Sequence, residues 1–93
     1  MARSTHHHDY QLLLTLLREL REKAGITQTS LAENLENTQT FVSKVERGER
    51  RIDAVEFVEL CEALGHSPVA VFQEFLRRRV APKGRGRKLS SRH

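Results

Sequence analysis

Two short segments set one close behind the other, each opened by a threonine, constrain this chain more than anything else in it. They lie within Gln28–Arg47, which reads QTSLAENLENTQTFVSKVER. Thr27 can cap a helix running to about Leu35, and Thr38 can cap another that ends near Arg47 and is closed by Gly48. Helices of about two turns are marginal in water, so this pair needs a frame that holds it at a fixed angle. Leu31, Ala32 and Leu35 of the first and Val42 and Val45 of the second supply apolar residues to face inward.

The frame reads as three further helices. Tyr10 to Ala24 carries Leu13, Leu16, Leu17, Leu20 and Ala24 at spacings of three and four, with Gly25 to close it. Leu12 and Leu14 fall off that stripe, which fits either a wide core contact or a subunit interface. Asp53 followed by Glu56 imitates a capping box, opening a helix to Leu64 expected to bury Ala54, Val55, Val58, Cys61 and Leu64. Asp53, Glu56, Glu59 and Glu62 would form its outer side and turn away from polyanions. Gly65, Ser67 and Pro68 give a stop, a cap and a first-turn proline, and a last helix runs to about Arg79. It has two apolar stripes, Val69, Phe72 and Leu76 on one face and Val71 and Phe75 on its neighbour. No strand pattern is present, so the fold class is all-α with five helices. Residues 1–9 read as a leader, 10–79 as the domain and 80–93 as a basic tail.

With 93 residues, 38% hydrophobic and only 5% aromatic, the chain makes one small domain whose core is mostly Leu, Val and Ile. No apolar run approaches the roughly 18–20 residues of a membrane span, and no signal-peptide pattern is seen, so the expected location is cytoplasmic. The one cysteine, Cys61, excludes a multi-cysteine zinc site and reads as a buried small hydrophobe. His6, His7 and His8 read as part of a solvated end rather than a metal site. There is no Ser/His/Asp or Cys/His constellation, no paired-carboxylate pocket and no phosphate loop. An enzyme is therefore the weakest class, and no cofactor or small-molecule ligand is expected.

The formal charge of +4 conceals an asymmetry. Residues 1–76 hold eight Lys and Arg against all twelve acids, whereas residues 77–93 hold eight Lys and Arg and no acid. Attraction for a polyanion must then come from one local face together with the tail. The helix over 38–47 offers such a face. On a helical wheel Val42 and Val45 point one way, and Thr40, Ser43, Lys44 and Arg47 point the other, with Gln39 on the flank and no acid among them. Gln can bond adenine bidentately, Lys can donate to guanine acceptors and Thr can touch a thymine methyl.

Residues 18–66, from RELREKAGITQTSLAENL through TQTFVSKVERGERRIDAVEFVELCEALGH, resemble the phage-repressor (Cro-type, Xre-like) helix-turn-helix family. Leu31, Leu35, Val42 and Val45 match its apolar positions, Ala32 its small inter-helix contact, and Glu46-Arg47-Gly48 one of its hallmarks. The resemblance implies a compact lambda-repressor-like fold that binds double-stranded DNA to regulate transcription. It implies base-reading positions at Gln39, Thr40, Ser43 and Lys44. Gln28 is similar to the family's phosphate-binding, helix-bracing glutamine, and Thr38, Arg47, Arg50 and Arg51 would lie along the phosphates. Glu46 would pair with Arg21, and Phe41 fits either partial packing against the domain or contact with a sugar or a thymine methyl. The sequence departs from the family at the turn, where Glu36 stands in place of the usual glycine. That costs about 1 kcal/mol unless Asn37 takes the positive φ instead.

A monomer of this size reads only about four or five base pairs, too few to find a site among a genome's competitors. A homodimer on a palindromic operator solves this, with Val71 and Phe75 of the last helix as the candidate interface. The reading is therefore a repressor or autoregulator. The alternative is an antitoxin-type module that binds operator DNA and a protein partner. The tail VAPKGRGRKLSSRH fits either a solvated end or a DNA-following arm loosely similar to an AT-hook.

Overall fold

The computed structural model describes residues 8–80. Five helices follow in order: α1 His8–Lys23, α2 Gln28–Asn34, α3 Gln39–Glu46, α4 Ala54–Ala63 and α5 Pro68–Val80, with no strand among the described residues. Each of the last four starts where a side chain can satisfy the first free amides. Thr27 Oγ1 accepts from Ser30 N at 3.0 Å and Thr38 Oγ1 from Phe41 N at 3.0 Å. At α4 the capping box closes in both directions, Glu56 N to Asp53 Oδ1 at 2.8 Å and Asp53 N to Glu56 Oε1 at 2.9 Å. Ser67 Oγ accepts from Ala70 N at the head of α5.

The first four helices also end alike. A residue at positive φ donates to the carbonyl three residues back, and the next residue donates to the carbonyl five residues before it. Gly25, Gly48 and Gly65 fill three of these positions, and Glu36, at φ 57°, fills the fourth. The strain thus stays on Glu36. Asn37 is at negative φ and instead accepts from Thr38 N at 2.8 Å through its side chain.

The core gathers Leu16 and Leu17 of α1, Leu31 and Ala32 of α2, Val42 of α3, Leu60 and Cys61 of α4 with Leu64 at its end, and Val71 of α5. Burial pushes the Cys61 thiol up to about 11. The first helix buries more than its expected stripe. Leu14 is 4% exposed, because α1 packs on α3 as well as α5, and Leu14 lies beside Gly48. Ala24, expected inside, is exposed and lies past the end of α1. Leu14 is therefore a core contact.

Two helices are rotated relative to expectation. On α4 the inward stripe is Leu60, Cys61 and Leu64 with the partly buried Phe57, while Ala54 is exposed and Val55 and Val58 are 65% and 38% exposed. The larger Phe57 and Leu60 take the inward side. On α5 Val71, at 4%, belongs to the core and Phe75 packs against it, so neither forms the free surface assigned to a subunit interface. Val69, Phe72 and Leu76 are the large apolar residues of α5 left exposed. Phe72 meets Phe57 edge-on at 6.1 Å between centroids, which ties α5 to α4.

The basic end of α5 is a clamp. Arg78 pairs with Glu19 of α1 at 3.0 Å and with Glu74 at 2.9 Å, Arg79 pairs with Asp9 at 2.9 Å, and Arg77 pairs with Glu74. Three of the eight cations counted at the C-terminal end therefore already face acids of the domain. Helix α1 begins at His8, two residues before the expected start, and Asp9 in its first turn is one of those acids. The basic tail from Ala81 onward and His6 and His7 lie outside the described residues. Among the described residues no helix is long and apolar enough to cross a membrane, and no cluster able to hold a metal occurs.

Candidate nucleic-acid interface

The exposed side of α3 is built on a chain of polar contacts that starts behind it. Arg21 of α1 donates to both oxygens of Glu46, Nε to Oε2 at 2.6 Å and Nη2 to Oε1 at 3.1 Å, and Nη1 donates to Ile26 O at 2.9 Å. Both side chains are only 12% exposed, so the pair is protected from the screening that weakens surface ion pairs. The bond to Glu46 is the main reason Arg21 is held more firmly charged than usual, with burial opposing it. Glu46 Oε1 also accepts from Gln28 Nε2 at 2.8 Å, and Gln28 Oε1 accepts from Gln39 Nε2 at 2.7 Å.

This chain has a direction. A guanidinium only donates and a carboxylate only accepts, so Gln28 must turn its NH2 toward Glu46. Its carbonyl then faces Gln39, which must donate in turn. Gln39 keeps its own carbonyl and a second N–H for an outside partner. An acceptor beside a donor is the complement of the N6 and N7 edge of adenine.

The other expected positions divide into two sets. Thr40 and Lys44 are exposed on α3. Thr38 uses its oxygen to cap α3, which leaves its hydroxyl hydrogen able to donate to a phosphate. Arg51 is exposed, with its guanidinium 4.3 Å above the Tyr10 ring. The second set is engaged within the domain. Arg47 donates to both oxygens of Glu49, at 3.0 and 3.1 Å, and also to Ser43 Oγ. Arg50 donates to both oxygens of Glu56, at 3.1 and 2.7 Å, and lies 4.9 Å over Phe41, which packs partly against the core. Its bond to Arg50, with help from the Asp53 amide, holds the Glu56 carboxyl below the usual range.

The bond from Gln28 to Glu46, the acids on Arg47 and Arg50, and the Tyr10 ring under Arg51 were not apparent from the sequence. Glu49 is two residues from Arg47 across a glycine turn, and Glu56 six from Arg50 across a loop. Neither separation is a helical pairing distance.

Comparison with known proteins matches residues 17–72 to a family model described as helix-turn-helix. Among solved structures, the chain is similar to an XRE-family like protein from Pseudomonas syringae pv. tomato, at 44% identity over 80% of this chain and 88% of that one, with a TM-score of 0.72. It is similar to the restriction-modification controller protein C.AhdI from Aeromonas hydrophila, at 35% identity over 71% and 100%, TM-score 0.59. It is also similar to the clp gene regulator ClgR from Corynebacterium glutamicum, at 27% identity over 80% and 79%, TM-score 0.69. Comparison with curated proteins gave no match.

Proposed function

Because the chain belongs to the Xre-like helix-turn-helix family of DNA-binding transcription regulators, we propose that it acts as a homodimeric repressor or autoregulator on a palindromic operator. Gln39, Thr40, Ser43 and Lys44 read base edges from the major groove. Gln28, Thr38, Arg47, Arg50 and Arg51 contact phosphates and set the register. The observation that carries this reading is the oriented amide of Gln39, held by Gln28, Glu46 and Arg21 so that one acceptor and one donor remain for a base. A side chain fixed in this way loses little rotamer freedom on binding.

The homodimer rests on the apolar stripe Val69, Phe72 and Leu76, which the domain itself leaves exposed. Val55 and Val58 of α4 are exposed apolar residues as well. Two-fold pairing would set two α3 helices about 34 Å apart, one turn of duplex. The basic residues of the tail add sequence-independent attraction for phosphate. Selection of bound duplexes from a random pool tests the reading. A palindrome with half-sites one helical turn apart is the expected result, and a single asymmetric half-site would refute dimeric readout. A reporter gene placed behind the selected site then separates repression from activation.

A further inference from the structure

Arg47 and Glu49 stand on either side of Gly48, whose positive φ turns the chain back at the end of α3. The turn brings the two side chains together. Arg47 Nε and Nη2 meet the two oxygens of Glu49 at 3.0 and 3.1 Å, while Nη1 donates to Ser43 Oγ. All three guanidinium nitrogens are engaged in the free protein. Both side chains are about half exposed, at 52% and 54%, so the carboxylate sits where an incoming anion would also arrive. A phosphate engages this planar fork with the same two-oxygen geometry as a carboxylate.

We propose that Glu49 is an internal stand-in for a DNA phosphate, holding the side edge of Arg47 and restraining the affinity of α3 for DNA of any sequence. The proposal rests on the DNA-binding reading of α3. An exposed ion pair is weak in water, so DNA can displace the carboxylate. A displaced Glu49 nonetheless stays in the same turn and repels the phosphate that replaces it. Binding to any duplex is thereby weakened, and a site whose bases also satisfy Gln39 and Lys44 keeps its advantage. Glu56, which holds Arg50 in a similar way, is a different case. Its carboxylate also closes the α4 capping box, so its loss would loosen the fold. Glu49 supports α3 only through its backbone, whose N–H donates to Lys44 O at 2.8 Å, and a glutamine there keeps that bond.

The test is a salt titration of binding to a labelled mixed-sequence duplex, comparing Glu49→Gln with Glu62→Gln, which removes the same charge from α4. Glu49→Gln is expected to bind several-fold tighter at low salt, with a steeper log–log slope, because the repulsion that it removes from the Arg47–phosphate contact is screened as salt rises. Glu62→Gln should give a smaller gain and an unchanged slope. The gain should vanish when Glu49→Gln is combined with Arg47→Ala. Equal gains from the two glutamine variants, or a gain that survives loss of Arg47, would overturn the role of Glu49 alone. If the parent chain and every variant fail to bind duplex at low salt, the DNA-binding reading falls, and the proposal with it.

Discussion

Gln28 donates to Glu46 at 2.8 Å, and this bond decides which way the Gln39 amide faces. Glu46 thus has two roles. It neutralises the mostly buried Arg21, and it passes the acceptor-only character of a carboxylate outward to the surface. Substituting Glu46→Gln keeps the shape but lets the Gln28 amide turn either way. Arg21 also loses its counter-charge at a site only 12% exposed. The expected outcome is a loss of roughly 1–3 kcal/mol in stability by chemical denaturation. Surviving folded protein should discriminate less sharply at one operator position. Unchanged stability together with an unchanged selected sequence would remove the relay from consideration.

Replacing Gln39 or Lys44 with Ala tests the reading face directly. Both side chains are exposed, so the fold should persist. Each loss should relax preference by roughly 1–3 kcal/mol at the base it contacts. Binding-site selection on the variants should lose one position apiece, whereas a selected sequence identical to the parent's would place base reading elsewhere on the domain.

The exposed stripe on α5 makes a prediction with a built-in control. Phe72→Glu gives up the edge contact with Phe57, but it puts its charge on a side chain that is 46% exposed and should leave a folded, somewhat less stable monomer. Val71→Glu, at a site 4% exposed, should unfold the domain by burying an unpaired carboxylate. Sedimentation together with circular dichroism separates the two outcomes. A Phe72→Glu chain that sediments like its parent would place any dimer contact off this stripe.

How far the residues alone disclosed this arrangement differs between elements. Helix boundaries were legible because Thr27, Thr38, Asp53 and Ser67 cap by local chemistry, which needs no knowledge of the tertiary fold. The membership of each stripe on α5 was legible too, since it follows from helical spacing. Which stripe faces inward was not. Both are apolar, and the choice is made by α1, whose Leu16 and Leu20 border Val71. The same ambiguity misplaced Val55 and Val58 on α4. At the candidate site the types of the residues proposed to read bases were visible on a wheel, but the engagement of Arg47 and Arg50 by acids was hidden, because it depends on the path of a turn and a loop.

Cys61 should act as a pH probe of the core. It is fully buried, and its thiol is raised from 9.0 to about 11. The folded protein therefore keeps a proton that the unfolded chain releases above about pH 9. Stability should be undiminished by this group below pH 9 and should fall as pH rises from 9 towards 11. A Cys61→Ala chain should lack that part of the decline, although its core is less well filled. Thiol reagents should react only in denaturant. Rapid labelling of the native protein would mean that the core opens locally at α4.

Glu36 offers a gain rather than a loss. It occupies the left-handed position that Gly25, Gly48 and Gly65 occupy at three other helix ends, with the same pair of backbone bonds on either side. At φ 57° a side chain with a Cβ costs about 1 kcal/mol or somewhat more relative to glycine. A glycine would remove that cost but would also make the unfolded chain more flexible, which offsets part of the benefit. The net expectation for Glu36→Gly is a stabilisation of roughly 0.5–1 kcal/mol, visible as a rise of a few degrees in Tm for a domain of this size. Glu36→Ala is the discriminating control. It removes the same charge beside Glu59 and Glu62, which line one surface concavity with Glu36, but it keeps the Cβ at positive φ. If alanine stabilises as much as glycine, the cost lies in carboxylate repulsion across that concavity and not in the backbone of the turn.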